Sequence, residues 1–458
     1  MITSRRISLF VLLAAVMATG SAARGADAPP RSPYVPAGYK FEWSDEFDAP
    51  ELNEAEWNYR LGGRPVIHHK KENVRVENGM VRIDLLKGPN RGPRGIKKIK
   101  PFSGGGIISK RGFTEGYFEV RAKLPQSRGW HPAWWSYASY EEGTLPGSSW
   151  NPHDLQKPLL EIDMFERASG LPLNKLKFGM VLHMENKRKP IYKLLPTLPF
   201  SPSDDFHVYG LELSQDFVVF YLDGKIMNMA DARDLPYHVQ HMWLTCTATS
   251  PPEQTDAMFY DYLRYYSIDA EGYKKRKTEI FDLLRKRDER AKTARQQYAS
   301  NGLDIWIEPA HFPHTGEWDV RTRLDPQHPG VEVKFLRGQT DRNIDLSDRE
   351  RSAQAAVVVP RAGTYRLWVR ANDHLKEPGS RYFHVRVNGK QSETTFGTHG
   401  KDGFYWQDGG VYELDEGTAG IVIYDTSKWF ARVDQLLLTT DLDYQPKSIG
   451  GVENATYR

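Results

Sequence analysis

The sequence predicts an all-β chain built from two sandwich domains, and three observations carry that prediction. From Phe41 to about Ile268, short alternating segments are punctuated by Gly, Pro and Asn. From Leu303 to about Asp441 a second run of the same kind follows. Between them lies a single charge-dense stretch, Ala270 to Tyr298, in which Gly and Pro nearly vanish. Strand-like alternation bounded by turn residues marks sandwiches and jelly rolls. A chain of 458 residues also exceeds what one core usually organises, so two domains are expected.

The elements follow in chain order. Residues 1–28 read as a secretory signal: Arg5 and Arg6 supply positive charge, and Ile7 to Met17 is apolar but too short to span a bilayer. Small residues then lead to a cut after Ala23 or near Ala28, so the chain is expected to be secreted, extracellular or periplasmic. No other segment is long and apolar enough to cross a membrane. Residues 38–268 form the first domain, with strands expected at Val74–Val76, Met80–Leu85, Gly116–Ala122, Phe178–His183, Val208–Leu213 and Val218–Leu222. Asp223-Gly224 after the last of these is a hairpin turn signal.

In residues 269–300, Ile280, Phe281, Leu283 and Leu284 recur at helical spacing among many charges, which reads as a solvated helical linker. Residues 301–442 form the smaller β-sandwich, and 443–458 read as a tail. The lone Cys246 excludes an intrachain disulfide and reads as a small buried filler. A formal net charge of +3 and the lack of a nucleic-acid module argue against a nucleic-acid partner. Aromatics at 12% of the chain suit both a sandwich core and a sugar-stacking surface.

Chemistry concentrates in Leu159-Leu160-Glu161-Ile162-Asp163-Met164-Phe165-Glu166. On a strand, Glu161 and Asp163 face the same way and Glu166 has the opposite parity. One inserted residue, a β-bulge, returns Glu166 to their side. An ordinary half-exposed strand is the plain alternative. Three crowded acids do nothing for a core, whereas a glycosidase needs one carboxylate as nucleophile and one carboxyl as proton donor. In Gly129-Trp130-His131-Pro132-Ala133-Trp134-Trp135, alternation puts His131, Ala133 and Trp135 on one face and Trp130 and Trp134 on the other.

Around the acids stand Trp43-Ser44-Asp45-Glu46-Phe47, Gly104-Gly105-Gly106-Ile107-Ile108-Ser109-Lys110, Phe206-His207-Val208-Tyr209-Gly210-Leu211-Glu212 and Asp261-Tyr262-Leu263-Arg264-Tyr265-Tyr266. In order and spacing, residues 40–268 resemble glycoside hydrolase family 16, which holds laminarinases, agarases, carrageenases and porphyranases. The resemblance implies a concanavalin-like jelly roll and a retaining endo-β-glycosidase. It implies Glu161 as nucleophile, Glu166 as acid/base and Asp163 as the acid between them. It turns His131, Trp135 and His183 toward substrate and leaves Trp134 in the core. Trp130, at the strand mouth, joins the substrate-binding candidates while serving either face. No catalytic cofactor or metal is implied. Glu46 and Asp261 match positions that help hold a structural Ca²⁺ in many relatives, with backbone near Gly79 contributing.

The polysaccharide stays open between β-1,3-glucan and a β-galactan of agar, carrageenan or porphyran type. A basic loop carrying Lys87, Arg91, Arg94, Lys97, Lys98 and Lys100, preceded by His68, His69, Lys70 and Lys71, suits sulfated sugars, and is equally the composition of a soluble loop. A non-catalytic polysaccharide binder and a transglycosylase are the rival readings. The second domain resembles a carbohydrate-binding module of the galactose-binding-like kind, with loop residues Trp406 and Trp429 as stacking candidates and a structural spacer as the alternative.

Overall fold

A computed structural model describes residues 31–458 except 92–98, 140–143, 146–147, 150–157, 185–186, 326, 329–330, 339–346, 375–376, 402 and 428. The signal segment and Arg94, Lys97 and Lys98 of the basic loop lie outside the described residues. Among the described residues, no helix is long and apolar enough to cross a membrane.

The first domain is a sandwich of two antiparallel sheets. The cleft sheet runs, strand beside strand, from Trp57–Tyr59 through Ile99–Ser109, His241–Thr247, His131–Tyr137, Leu159–Glu166 and Lys177–Met184 to Lys187–Leu194. The back sheet runs from Val74–Glu77 through Met80–Arg91, Asp256–Ile268, Gly116–Lys123, His207–Leu213 and Phe217–Leu222 to Lys225–Asp231. Alternation along each strand sends one set of side chains inward. Ile162, Met164, Trp134 and Met180 from the cleft sheet meet Phe118, Val120, Leu211 and Phe220 from the back sheet in one buried cluster.

Cys246 belongs to that cluster, and burial pushes its thiol well above the usual range. Native protein should therefore give no reaction with a thiol reagent and one equivalent after unfolding; a rapid native reaction would contradict this packing.

The charged stretch forms a helix, Ala270–Gln296, capped by the Asp269 carboxylate accepting from the Gly272 N–H at 2.9 Å. It is not a solvated spacer. Ile280 and Leu284 are buried against Tyr117, Phe217, Val219 and Tyr221 on the outer side of the back sheet. Arg276 enters beneath it, donating from Nε and Nη2 to the two oxygens of Glu212 at 2.7 and 2.8 Å and from Nη2 to the Tyr221 hydroxyl at 2.7 Å. The remaining charges point outward and pair along the helix, as Arg285 does with Asp282 and Glu289.

The second domain is also a sandwich. One sheet holds Asp304–Ile307, Asp319–Leu324, Glu332–Arg337, Gly363–Asn372, Phe404–Leu414 and Arg432–Thr439. The other holds Ser352–Val359, Phe383–Val387, Lys390–Gln391 and Gly417–Asp425. Val357, Leu367, Val369, Ile421, Ile423 and Leu436 fill the space between them. Residues 443–458 are held to this domain: Tyr457 bridges to Val357, and the Asn454 N–H donates to the Trp306 carbonyl at 3.2 Å.

The two domains share a hydrogen-bonded sheet. Lys193, on the last strand of the cleft sheet, pairs in parallel register with Arg323 on Asp319–Leu324. Tyr192 before it has φ 46°, and a Cβ on Gly179 would come within 3.0 Å of the Lys193 Cα. Only glycine at 179 permits that close approach without displacing backbone.

Candidate active site

The catalytic strand carries the predicted bulge. Asp163 pairs with Gly179 and Glu166 with Lys177, so three steps on one strand oppose two on the other. On its other side, Asp163 pairs with Trp135 and Glu166 with Ala133, again with a register shift between. Directly paired residues share a face. Glu161, Asp163 and Glu166 therefore come to one surface with Trp135, Ala133 and Lys177, while Ile162, Met164 and Phe165 stay buried beneath. All three acids line a cleft of about 150 Å³ with Arg60, Arg64, His131, Trp135 and Thr245.

Each acid has a defined partner. His183 Nε2 lies 3.0 Å from Glu161 Oε2, and its ring meets Tyr137 edge-on. His131 Nε2 lies 2.5 Å from Glu166 Oε1. Burial, then the Lys177 charge, pushes His131 down to about 3, so its imidazole is neutral near pH 7. The Lys177 ammonium sits 2.8 Å from Asp163 Oδ2 and also contacts Glu166. One cation between two carboxylates offsets their repulsion. The Trp135 indole N–H donates to the Thr245 hydroxyl at 3.1 Å, and its ring lies 4.4 Å from that of Trp243. The Arg60 guanidinium lies 5.7 Å from both rings, within cation–π range.

Some expected residues stand elsewhere. Trp130 is 1% exposed in the core, edge-on to Phe102, with its indole N–H given to the Gln254 carbonyl at 2.9 Å. It cannot stack on substrate, and its parity with Trp134 already pointed inward. Glu46 takes both nitrogens of a fork from Arg264, at 2.9 and 2.8 Å, while Asp261 is paired with Arg121 at 2.5 Å. Each of these carboxylates thus already has one positive partner. In the second domain, Trp406 lies in a strand rather than a loop, and its N–H donates to the Ser448 carbonyl at 3.2 Å. It packs with Trp306 and Trp368 as an anchor for the chain end. Trp429 does lie between strands, half-buried, with its ring 4.7 Å from that of Phe430.

Among the described residues of the basic loop, several are engaged as well. The Lys100 ammonium donates to the Arg64 and Ile67 carbonyls, Lys71 pairs with Glu54 at 2.6 Å, and buried His69 meets the Thr247 hydroxyl at 2.8 Å. The residues that sequence reasoning missed include Arg60, Arg64, Lys177, Thr245, Thr247 and Thr249. Lys177 was findable once the bulge register was drawn, because it falls opposite Glu166.

A jelly roll whose cleft sheet presents three acids from one bulged strand has the arrangement of a glycoside hydrolase. Residues 65–258 match the family model Glycosyl hydrolases family 16. The chain is 26% identical over 254 residues to Glucan endo-1,3-beta-glucosidase A1 of Niallia circulans, covering 50% of this chain and 34% of that protein. It is 26% identical to Glucan endo-1,3-beta-glucosidase of Cryptopygus antarcticus, covering 42% of this chain and 70% of that one. It is 24% identical to Kappa-carrageenase of Pseudoalteromonas carrageenovora, covering 43% of this chain and 52% of that protein. The chain thus spans only about a third of the first of these relatives and about half of the third.

Proposed function

We propose that the protein is an exported, retaining endo-β-glycosidase that cuts a polysaccharide by double displacement. The observation that carries this reading is the bulge that turns Glu166 onto the face of Glu161 and Asp163. Glu161 attacks the anomeric carbon, and the sugar–oxygen bond breaks as Glu166 delivers its proton to the leaving oxygen. Water then releases the glycosyl group from Glu161, and Glu166 takes the proton back. His183, with Nε2 protonated, donates to Glu161 and fixes the attacking carboxylate. Neutral His131 holds Glu166 without competing for the proton it must deliver. Trp135 and the Arg60 guanidinium wall the sugar site.

The relatives include enzymes named for β-1,3-glucan and for κ-carrageenan, so glucan and galactan both stay within the proposal. The second domain is proposed to bind the same polymer. Reducing-end release from laminarin, mixed-linkage glucan, agarose, porphyran and carrageenans tests the reading, and no release from any of them would overturn it. Added acceptor sugars in the same assay distinguish transfer from hydrolysis.

Lys177 gives a pH prediction. A cation beside Glu166 favours its ionised form. In Lys177→Met the acid should keep its proton longer, and the alkaline limb of turnover should move up by about 1 pH unit. A limb unmoved in a pH–rate profile would remove Lys177 from this role.

A further inference from the structure

The strand that carries the nucleophile is secured at its start by side chains in place of a neighbouring strand. Toward Lys177–Met184, pairing runs without a break from Leu159 through Glu161 to Asp163. Toward His131–Tyr137, it begins only at Ile162, which meets Ser136. In that register Leu160 would face Ala138, but His131–Tyr137 ends one residue earlier and the chain bends at Ala138. Among the described residues, the backbone of Leu160 therefore has no strand beside it on this side, one residue before Glu161. Leu160 is 3% exposed, so its peptide groups need partners from the protein. A buried polar group left unmatched costs about 1–3 kcal/mol.

Two side chains from the segment leading into His241–Thr247 supply those partners. The Leu160 N–H donates to His238 Nε2 at 2.9 Å, and the Gln240 side-chain amide donates to the Leu160 carbonyl at 3.1 Å. The segment is itself anchored. The Gln240 N–H donates to the Phe113 carbonyl at 2.7 Å, the Phe113 N–H returns to the Gln240 carbonyl at 2.9 Å, and His241 pairs with Tyr137. The tautomer of His238 is set as well. Nδ1 lies 3.0 Å from the Val239 carbonyl, which only accepts, so the proton sits on Nδ1 and Nε2 keeps the lone pair that Leu160 uses. The Gln240 amide nitrogen stands farther from Nδ1, at 3.4 Å. Burial holds the imidazole below its ordinary value, so the ring is neutral near pH 7. Leu160, Leu213, Val218 and Leu235 wall the small cavity against it, which accounts for that burial.

Resting on the polysaccharide-hydrolase reading above, we propose that His238 is a positioning residue for the nucleophile: with Gln240 it completes the pairing of the catalytic strand at Leu160 and so fixes the register from which Glu161 attacks. Without those two bonds the strand would be held on this side only from Ile162 onward, and Glu161 would lie on the loosened end. The attacking oxygen must reach the anomeric carbon at about 3–3.5 Å, and a misplacement of about 1 Å is enough to slow attack severely. Trp135 and Thr247 belong to other strands and keep their places along the cleft. The loss therefore falls on the chemical step more than on substrate binding.

The test compares His238→Leu, which removes the acceptor, with His238→Gln, whose amide oxygen can stand where Nε2 stood. Both are made in the full chain and assayed on the polysaccharide from which the parent releases most reducing ends. Turnover is taken per folded molecule, well below the melting temperature. His238→Leu should lower kcat by about tenfold or more with KM changed by less than about twofold, and His238→Gln should recover kcat to within about threefold of the parent. A merely structural role would lower the melting temperature and leave kcat per folded molecule unchanged. The parent supplies a second measurement. Magnetic resonance of nitrogen-labelled histidines at neutral pH should show His238 protonated at Nδ1 and bare at Nε2, its signals identified by their absence from His238→Gln. Three results would each overturn the proposal: a kcat for His238→Leu within about twofold of the parent, a His238→Gln enzyme as slow as His238→Leu, or a proton on Nε2 in the parent. The last decides the matter even if His238→Leu fails to fold. Failure of the hydrolase reading shows separately, as absent reducing-end release by the parent.

Discussion

Glu161→Gln and Glu166→Gln should each lower turnover by about 10³-fold or more while leaving the melting temperature close to that of the parent. Both side chains lie at the cleft, and their partners, His183 and His131, can hydrogen-bond to an amide as well as to a carboxylate. The two losses should differ in kind. Azide added to Glu161→Ala takes the place of the missing nucleophile and yields a glycosyl azide of inverted configuration. In Glu166→Ala the glycosyl-enzyme still forms from a substrate with a good leaving group, and azide then yields the retained product. Near-parental turnover in either glutamine variant, or the same anomer from both alanine variants, would refute the division of roles.

Arg276→Ala should cost about 3–5 kcal/mol, because it strands the Glu212 carboxylate beneath the helix. Glu212 is fully buried, with Arg276 as its positive partner and the Tyr221 and Tyr39 hydroxyls beside it. At a few degrees per kcal/mol for a domain of this size, the melting point should fall by about 10 °C. Thermal unfolding checks it, and a shift of only a degree or two would mean that the helix is a dispensable cover. Arg285→Ala, an exposed control on the same helix, should change stability by less than about 1 kcal/mol.

The contrast between these residues shows what the sequence made legible. The acids could be read because alternation plus one bulge is a rule of a single strand, and everything needed lies within eight residues. Trp134 and Trp135 separated correctly by the same rule. Trp130 sits at the strand mouth yet follows its parity into the core. The helix was legible as a helix, but not as a buried one. Its partner, Glu212, is 64 residues away in sequence, and charge density on its outer faces concealed the stripe of Ile280 and Leu284. Arg60 and Arg64 reach the cleft from a hairpin near the start of the domain, which no local pattern announces. The contact between the two domains was least legible of all. Arg321, Arg323 and Arg337 alternate along strands like any solvent-facing series, and they acquire meaning only when a strand from another domain is laid beside them.

That strand pairing also bears on how the molecule tolerates being divided. A chain ended near residue 300 would leave the Lys193 end of the outer strand Lys187–Leu194 without its partner Arg323, its backbone there open to the next copy. Half-buried Lys193 would meet more water on that margin, and the fragment should be prone to self-association. Cutting the halves apart is therefore a poor way to apportion their duties; single substitutions in the intact chain keep that border covered.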